Sequence, residues 1–302
     1  MTRKLLKSNP RIFLAKCIRR IIVFLPDKCF LQLYYWLVMG RPLNLKNPQT
    51  FTAKINWLKL YDRKDIYTVM VDKVAVKSYV AKIIGEDKII PTLGVWDNPD
   101  DIDFDALPEK FVLKCNHNSG LGMCICKDKQ KLDIQNVLYN LRKGITENIY
   151  KWNREWPYKN VPRRILAEEF MEDDNTKELR DYKFFCFGGV VKFFKIDFDR
   201  FVEHHANYYN TQGELLPFGE IVCPPLPQRK ISLPSQLEKM ISMAERLSRN
   251  VPFLRVDFYE VNNKVYFGEL TFSPDGGFGI WTDDKIDYML GQWITLPKKE
   301  VK

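Results

Sequence analysis

Two carboxylates carry the first chemistry in this chain. Residues 254–259 (Leu-Arg-Val-Asp-Phe-Tyr) and 265–271 (Val-Tyr-Phe-Gly-Glu-Leu-Thr) are short apolar runs of strand character, and the Asn262-Asn263 pair between them suits a turn. A connection symmetric about Asn263 sets Asp257 directly opposite Glu269, with Cβ atoms about 4.5–5.5 Å apart on one face. Two like charges at that separation repel unless a cation joins them, and a divalent ion is the natural candidate. Period-2 alternation adds Arg255 and Thr271 to the same face and sends Val256, Phe258, Tyr266 and Leu270 to the core. An even-length turn would move one carboxylate to the wrong face.

A second constellation lies far upstream. Residues 111–122 read as a strand ending in Lys114 and then a loop holding His117, Ser119, Gly120 and Gly122. Glycine lets backbone amides approach an anion closely, and a lysine at a strand end reaches phosphate oxygens. The loop matches neither the Walker nor the dinucleotide pattern. Glu168, Glu169, Phe170 and Met171 end an apolar run from Ile165, where strand-end amides and a carboxylate suit the edge of a purine. Asp181 and Lys183 share one face of the next strand, and Arg200, His205 and Asn207 follow as a polar cluster suited to an acidic acceptor or to a solvated loop. A phosphate loop and a carboxylate pair together point to Mg2+-ATP, with Lys183 in reach of the γ-phosphate.

The elements that must position these groups follow from periodicity and punctuation. Asp27 can cap a helix ending near Gly40, and residues 51–84 carry helical spacing that stops at Gly85. Strands are expected at 89–93, 111–115, 123–126 and 165–171, and as a hairpin of 182–187 with 190–196 about Gly188-Gly189. Helices are expected over 131–156 and 234–250. The result is an α+β chain with a helical front end, read as segments 1–65, 66–165 and 166–302. A net charge of +9 favours anionic partners, and no zinc-finger or RNP-like signature supports nucleic acid. Seven scattered cysteines and the lack of a signal peptide indicate a reducing, cytoplasmic setting. Residues 11–40 hold two apolar runs interrupted by Pro26-Asp27-Lys28, each too short to span a bilayer, with Arg11, Lys16, Arg19 and Arg20 upstream. This segment reads either as a cap packed on the body or as a basic, amphipathic contact with the inner membrane surface.

Several ordered phrases are specific. Residues 107–120 (LPEKFVLKCNHNSG), 181–188 (DYKFFCFG), 255–259 (RVDFY) and 268–272 (GELTF), with 43–51 and Asp72-Lys73 upstream, resemble the TupA-like (teichuronopeptide biosynthesis) family of the ATP-grasp superfamily over about residues 25–297. The resemblance implies two α+β subdomains clasping ATP and a carbon–nitrogen ligase that activates a carboxylate as an acyl phosphate for attack by an amine. It further implies Lys114, Ser119, Gly120 and Gly122 at the phosphates, and Glu168 with the 169–171 backbone at adenine. Asp181 would lie at the ribose and Lys183 at phosphate, with Asp257 and Glu269 on magnesium. Thr271 stands where the superfamily commonly has an asparagine metal ligand. The implied substrates are an acidic sugar or glycan acceptor of capsule or cell-surface assembly and an amine donor. Two other readings compete: a glycosyltransferase using a D-x-D motif (Asp101, Asp103 and Asp105, or Asp197 and Asp199), and a nucleotide-binding protein without turnover.

Overall fold

The computed structural model describes residues 10–174, 179–199 and 203–299. Two antiparallel sheets dominate it. The first orders β1 (Thr92–Trp96), β4 (Ile165–Glu169), β2 (Phe111–Cys115) and β3 (Cys124–Cys126). The second orders β7 (His205–Tyr209), β6 (Val190–Phe198), β5 (Asp181–Phe187), β8 (Phe253–Val261) and β9 (Lys264–Thr271). The helices are α1 (Pro10–Ile22), α2 (Asp27–Met39), α3 (Phe51–Tyr61), α4 (Asp65–Val71), α5 (Ala75–Ile84), α6 (Ile134–Ile145), α7 (Ile149–Asn153), α8 (Leu237–Leu247) and α9 (Asp284–Trp293).

The second sheet is aromatic on both faces, because β5 alternates Phe184 and Phe185 to opposite sides. Phe184, Phe194, Phe258 and Leu270 pack with Tyr67, Val80 and Met240 of α4, α5 and α8. Phe185, Phe187, Phe193 and Phe253 pack with Phe51, Ile55 and Leu290 of α3 and α9. Burying a sheet on both faces this way supplies most of the drive for folding, at about 1.5–3 kcal/mol per large side chain. The first sheet is covered on one face by α6, where Phe111, Leu113 and Cys115 meet Val137 and Leu141.

Strand pairing draws the segment lines differently from the sequence reading. Within 66–165, α4 and α5 belong to the core of the second sheet, whereas 92–169 builds the first sheet, so position 165/166 falls inside β4. The helical stretch 51–84 is three helices, broken at residues 62–64 and 72–74. The strand expected at 89–93 starts at Thr92, since Pro91 has no N–H for a ladder. Asp27 is the first residue of α2 rather than its cap, and its carboxylate takes Arg63, Arg154 and the Tyr150 hydroxyl instead. Gly40 ends α2 in the left-handed conformation, as a C-terminal glycine should.

Candidate active site

One face of the second sheet changes character along its strands. The residues paired across it begin as Phe187, Phe185, Phe193 and Phe253, and continue as Lys183, Asp181, Lys195, Asp197, Arg255 and Asp257. The apolar half is covered by α3 and α9, and the charged half is the site.

Lys183 is its buried centre. Its Nζ lies 2.6 Å from Asp181 Oδ2, 2.6 Å from Asp197 Oδ2 and 3.9 Å from Asp257 Oδ2. Burial alone would lower its pKa, but the three acids outweigh that and raise it. Asp197 is held well below the usual carboxylate range, since Lys195 and Lys183 overcome the cost of its burial.

Asp257 stands opposite Glu269, as expected, by a different route. The turn is even-length: Asn262 and Asn263, at φ 50° and 60°, close it as a two-residue loop with Val261 paired to Lys264. A β-bulge between Asp257 and Phe258 then inserts Gly268 into β9 and restores the pairing of Asp257 with Glu269. The same bulge corrects the core assignment, since Phe267 is buried against the helices and Tyr266 is only half-buried. Gly268 fits closely there, since a Cβ would sit 3.0 Å from the Asp257 carbonyl oxygen and the backbone would have to give.

The two carboxylates converge on a cation in this structure. The Arg255 guanidinium donates to Asp257 Oδ1 and Oδ2 and to Glu269 Oε1, each at 2.7 Å. Burial raises the Asp257 pKa to about 6 against Arg255 and Lys183. Glu269 also resists ionisation through burial, but Arg255, Lys73 and Lys183 bring it down to about 2. The Thr271 hydroxyl donates to Glu269 Oε1 at 3.1 Å. Magnesium usually takes one or two protein carboxylates and fills its shell with phosphate oxygens and water. Asp257 and Glu269 fit that demand, and Thr271 orients one of them.

Lys114 of the first sheet and Lys77 of α5 bring cations to the same cleft. Glu168 is buried between Lys77, at 2.6 Å, and Lys114, whose charges overcome burial and lower its pKa. Those lysines, with Lys73, Ile89, Ile90, Phe267 and Gly268, enclose a small pocket between the two sheets. Glu169 turns to the other face of β4 and is exposed, its N–H donating to the Pro91 carbonyl at 3.2 Å. Phe170 lies 5.7 Å from Lys110 Nζ and 5.6 Å from Lys127 Nζ, and Met171 is half-buried beside it.

The loop after β2 is built from its asparagines. Asn116 is fully buried and donates to Asp72 and to the Pro162 carbonyl, while Asn118 donates to Leu121 and Gly144 carbonyls. Gly120 and Gly122 hold φ of 94° and 81°; a Cβ at Gly122 would strike the α6 backbone, and one at Gly120 would meet open space.

A larger cavity of about 400 Å³ opens beside this cleft, and Lys73 lines both spaces. Arg255, Glu269, Thr271 and Ser119 form part of one wall, and Lys16 and Arg19 of α1 enter from another. Glu155, Tyr158 and Asp275 also face it. Burial raises the pKa of Asp275 to about 6 and that of Glu155 as well, and pushes the Tyr158 hydroxyl far up. Arg19 meets Asn153 Oδ1 at 3.2 Å, its Nε is buried without a hydrogen-bond partner, and no carboxylate among the described residues pairs with it. Of these groups, Glu155, Tyr158 and Asp275 had no sequence signal.

The remaining candidates lie elsewhere. His117 is buried, with Nε2 at 3.1 Å from the Glu147 carbonyl oxygen. His205 Nδ1 lies 2.9 Å from the Pro224 carbonyl oxygen, and Asn207 bonds both the N–H and the carbonyl of Leu226. Neither His117, His205 nor Asn207 lines the cavity. Arg200 falls outside the described residues. Of the D-x-D aspartates, Asp197 is engaged by Lys183, and Asp103 caps its own turn at Asp105 and Ala106.

Two antiparallel sheets closing on a cleft, with Lys114 on one, a carboxylate hairpin on the other and Lys73 and Lys77 beside them, have the arrangement of an ATP-grasp protein. The chain belongs to the TupA-like ATPgrasp family, whose model matches residues 53–295. ATP-grasp enzymes are carbon–nitrogen ligases that use ATP and Mg2+. No curated protein matches the sequence. Among solved structures, the chain is similar to D-alanine–D-alanine ligase from Helicobacter pylori (18% identity, 81% of this chain and 69% of that one, TM-score 0.42). It is similar also to that ligase from Bacillus anthracis (15%, 68% and 57%, 0.39) and to phosphoribosylamine–glycine ligase from Thermotoga maritima (14%, 71% and 51%, 0.43). The chain thus spans between about half and about two thirds of their lengths, and the assignment rests on the family match alone.

Proposed function

We propose that the protein is an ATP-dependent carboxylate–amine ligase acting on a uronic-acid-containing precursor of a capsular or cell-surface polysaccharide. ATP lies between the sheets, its phosphates toward Lys73 and Lys114. Asp257 and Glu269 would hold magnesium, which would neutralise charge on the transferring phosphoryl group. The acceptor carboxylate is placed beside Arg255, attacks the γ-phosphorus and releases ADP; the amine then displaces phosphate to leave an amide. Arg255 stabilises the oxyanion of that second step. Lys183 acts by holding Asp257 in place and keeping it ionised.

The observation that carries this reading is the cavity shared by Arg255, Glu269 and Lys73 with Lys16 and Arg19. An arginine turned into a cavity without an acid to pair with suits an anionic acceptor. Glu155 and Asp275 on another part of the wall suit the amine. ATP as substrate favours a cytoplasmic site of action.

Calorimetric titration of Mg2+-ATP into wild type and an Asp257→Asn/Glu269→Gln double variant tests the reading. Magnesium-dependent binding that the variant loses supports it, and ADP release with paired uronate and amine then identifies the reaction. A wild type that binds a UDP-sugar and no ATP would replace it with the transferase reading, and ATP binding without turnover on any pair would leave a nucleotide-binding protein.

A further inference from the structure

We infer that α1, the turn after it and the outer face of α2 form a docking surface for a bilayer carrying anionic lipid. The evidence is the face that α1 turns outward. A 3.6-residue period places Phe13, Cys17 and Arg20 in one row, with Leu14 and Ile21 beside them, and Phe24 follows in the turn. Phe13 is 56% exposed, Leu14 54%, Ile21 74% and Phe24 85%. On α2, Cys29 and Trp36 continue the surface, Trp36 being 53% exposed. The opposite face of α1 buries Ile12, Ala15 and Ile22, so the helix is seated on the body by one apolar face while presenting a second. Single exposed apolar residues are ordinary; five large ones gathered on one helical hairpin are not.

The charge around the patch selects the occupant. Arg11, Arg20 and Lys28 are the basic residues of 10–40 that do not line the cavity, and the one acid there, Asp27, is taken up by Arg63, Arg154 and Tyr150. Arg11 reaches over α2 to the Trp36 and Leu37 carbonyls, which sets a guanidinium beside the exposed indole. A basic rim, a tryptophan and an apolar centre match the headgroup region of an anionic leaflet. A second copy of the chain fits poorly, because a two-fold contact through this face brings Arg11, Arg20 and Lys28 against their own kind. Spanning is excluded for these helices: among the described residues no helix is long and apolar enough to cross a membrane. The helix therefore lies in the plane of the interface. Lys16 and Arg19 leave α1 on the inner side, so a docked α1 would stand between the lipid surface and the cavity.

The test is flotation of the full chain with vesicles of phosphatidylcholine, with and without phosphatidylglycerol, at low and high salt. The wild type is expected to float with the phosphatidylglycerol vesicles, and salt should reduce that binding. Ile21→Ser/Phe24→Ser should reduce the bound fraction at least about tenfold, from the loss of two buried apolar side chains. Arg20→Glu should weaken binding to the anionic vesicles only. All three positions are solvent-exposed, so circular dichroism should show unchanged folding and ATP-dependent ADP release without lipid should be unaltered. A wild type that ignores the anionic vesicles, or a double variant that binds them equally, overturns the inference. So does light scattering that finds a dimer abolished by the double variant, which would make the face a self-association surface.

Discussion

Lys183→Met isolates the energetic logic of the charged half-sheet. The substitution keeps the length and apolar stem of the side chain and removes its charge, leaving Asp181, Asp197 and Asp257 buried within reach of one another. Nζ now touches two of them at 2.6 Å and the third at 3.9 Å. Breaking a buried ion pair from one side costs about 3–5 kcal/mol, because the remaining charge stays desolvated. For a chain of this length that corresponds to a fall in Tm of roughly 5–8 °C. The sign with pH is fixed: the acids raise the lysine above its ordinary value of 10.5, so its contribution is complete at pH 7 and disappears only as pH rises through the folded value. In the variant, acidification should recover stability as the stranded carboxylates take up protons. Lys183→Met/Asp197→Asn, which removes one stranded acid, should regain about half of the loss. Thermal unfolding by circular dichroism at neutral and mildly acid pH reads all three effects. A Lys183→Met protein within about 2 °C of wild type at pH 7, or a double variant less stable than the single one, would refute the reasoning.

Two further outcomes follow from the carboxylate hairpin. Asp257 must be ionised to hold magnesium, and with its pKa raised to about 6 the affinity for Mg2+-ATP should be level above pH 7 and fall by about tenfold per unit below pH 6, while Glu269 at about 2 stays charged; titration calorimetry across pH 5–8 measures this, and a flat profile contradicts it. Gly268→Val places a branched side chain against the Asp257 carbonyl, 3.0 Å from the glycine's missing Cβ, so the bulge must shift; Mg2+-ATP affinity should drop at least about tenfold with a stability cost of about 1–3 kcal/mol, and unchanged affinity in a folded variant would show that the bulge does not set the carboxylates.

The hairpin also shows how far alternation can be read. The facing of Asp257 and Glu269 was legible because both carboxylates sit in strongly strand-forming runs. The route was not, because an odd loop with a regular ladder and an even loop with a bulge bring the same two residues together, and only the burial of Phe267 over Tyr266 separates them. The Phe187–Gly-Gly–Val190 turn was legible, since two glycines at φ 58° and 88° leave little alternative. The cavity was not: Lys16 and Arg19 of α1, Glu155 and Asp275 come from three stretches far apart in the sequence. Lys183 had a residue-level signal as a phosphate contact, but its engagement with Asp197 depends on the pairing of β5 with β6, which no spacing within β5 encodes.

Lys73 belongs to two spaces at once. Its amine, lowered by burial and held by the Asn118 carbonyl at 2.6 Å, borders both the pocket between the sheets and the larger cavity beside Arg255. One ammonium serving two ligands makes their binding reciprocal: whatever factor the first arrival imposes on the second, the second imposes on the first. A ligand that spends this charge in one chamber leaves less of it for an anion in the other, whereas one that brings its own cation leaves more. Under the proposed function, nucleotide and acceptor would therefore sense each other partly through a single side chain.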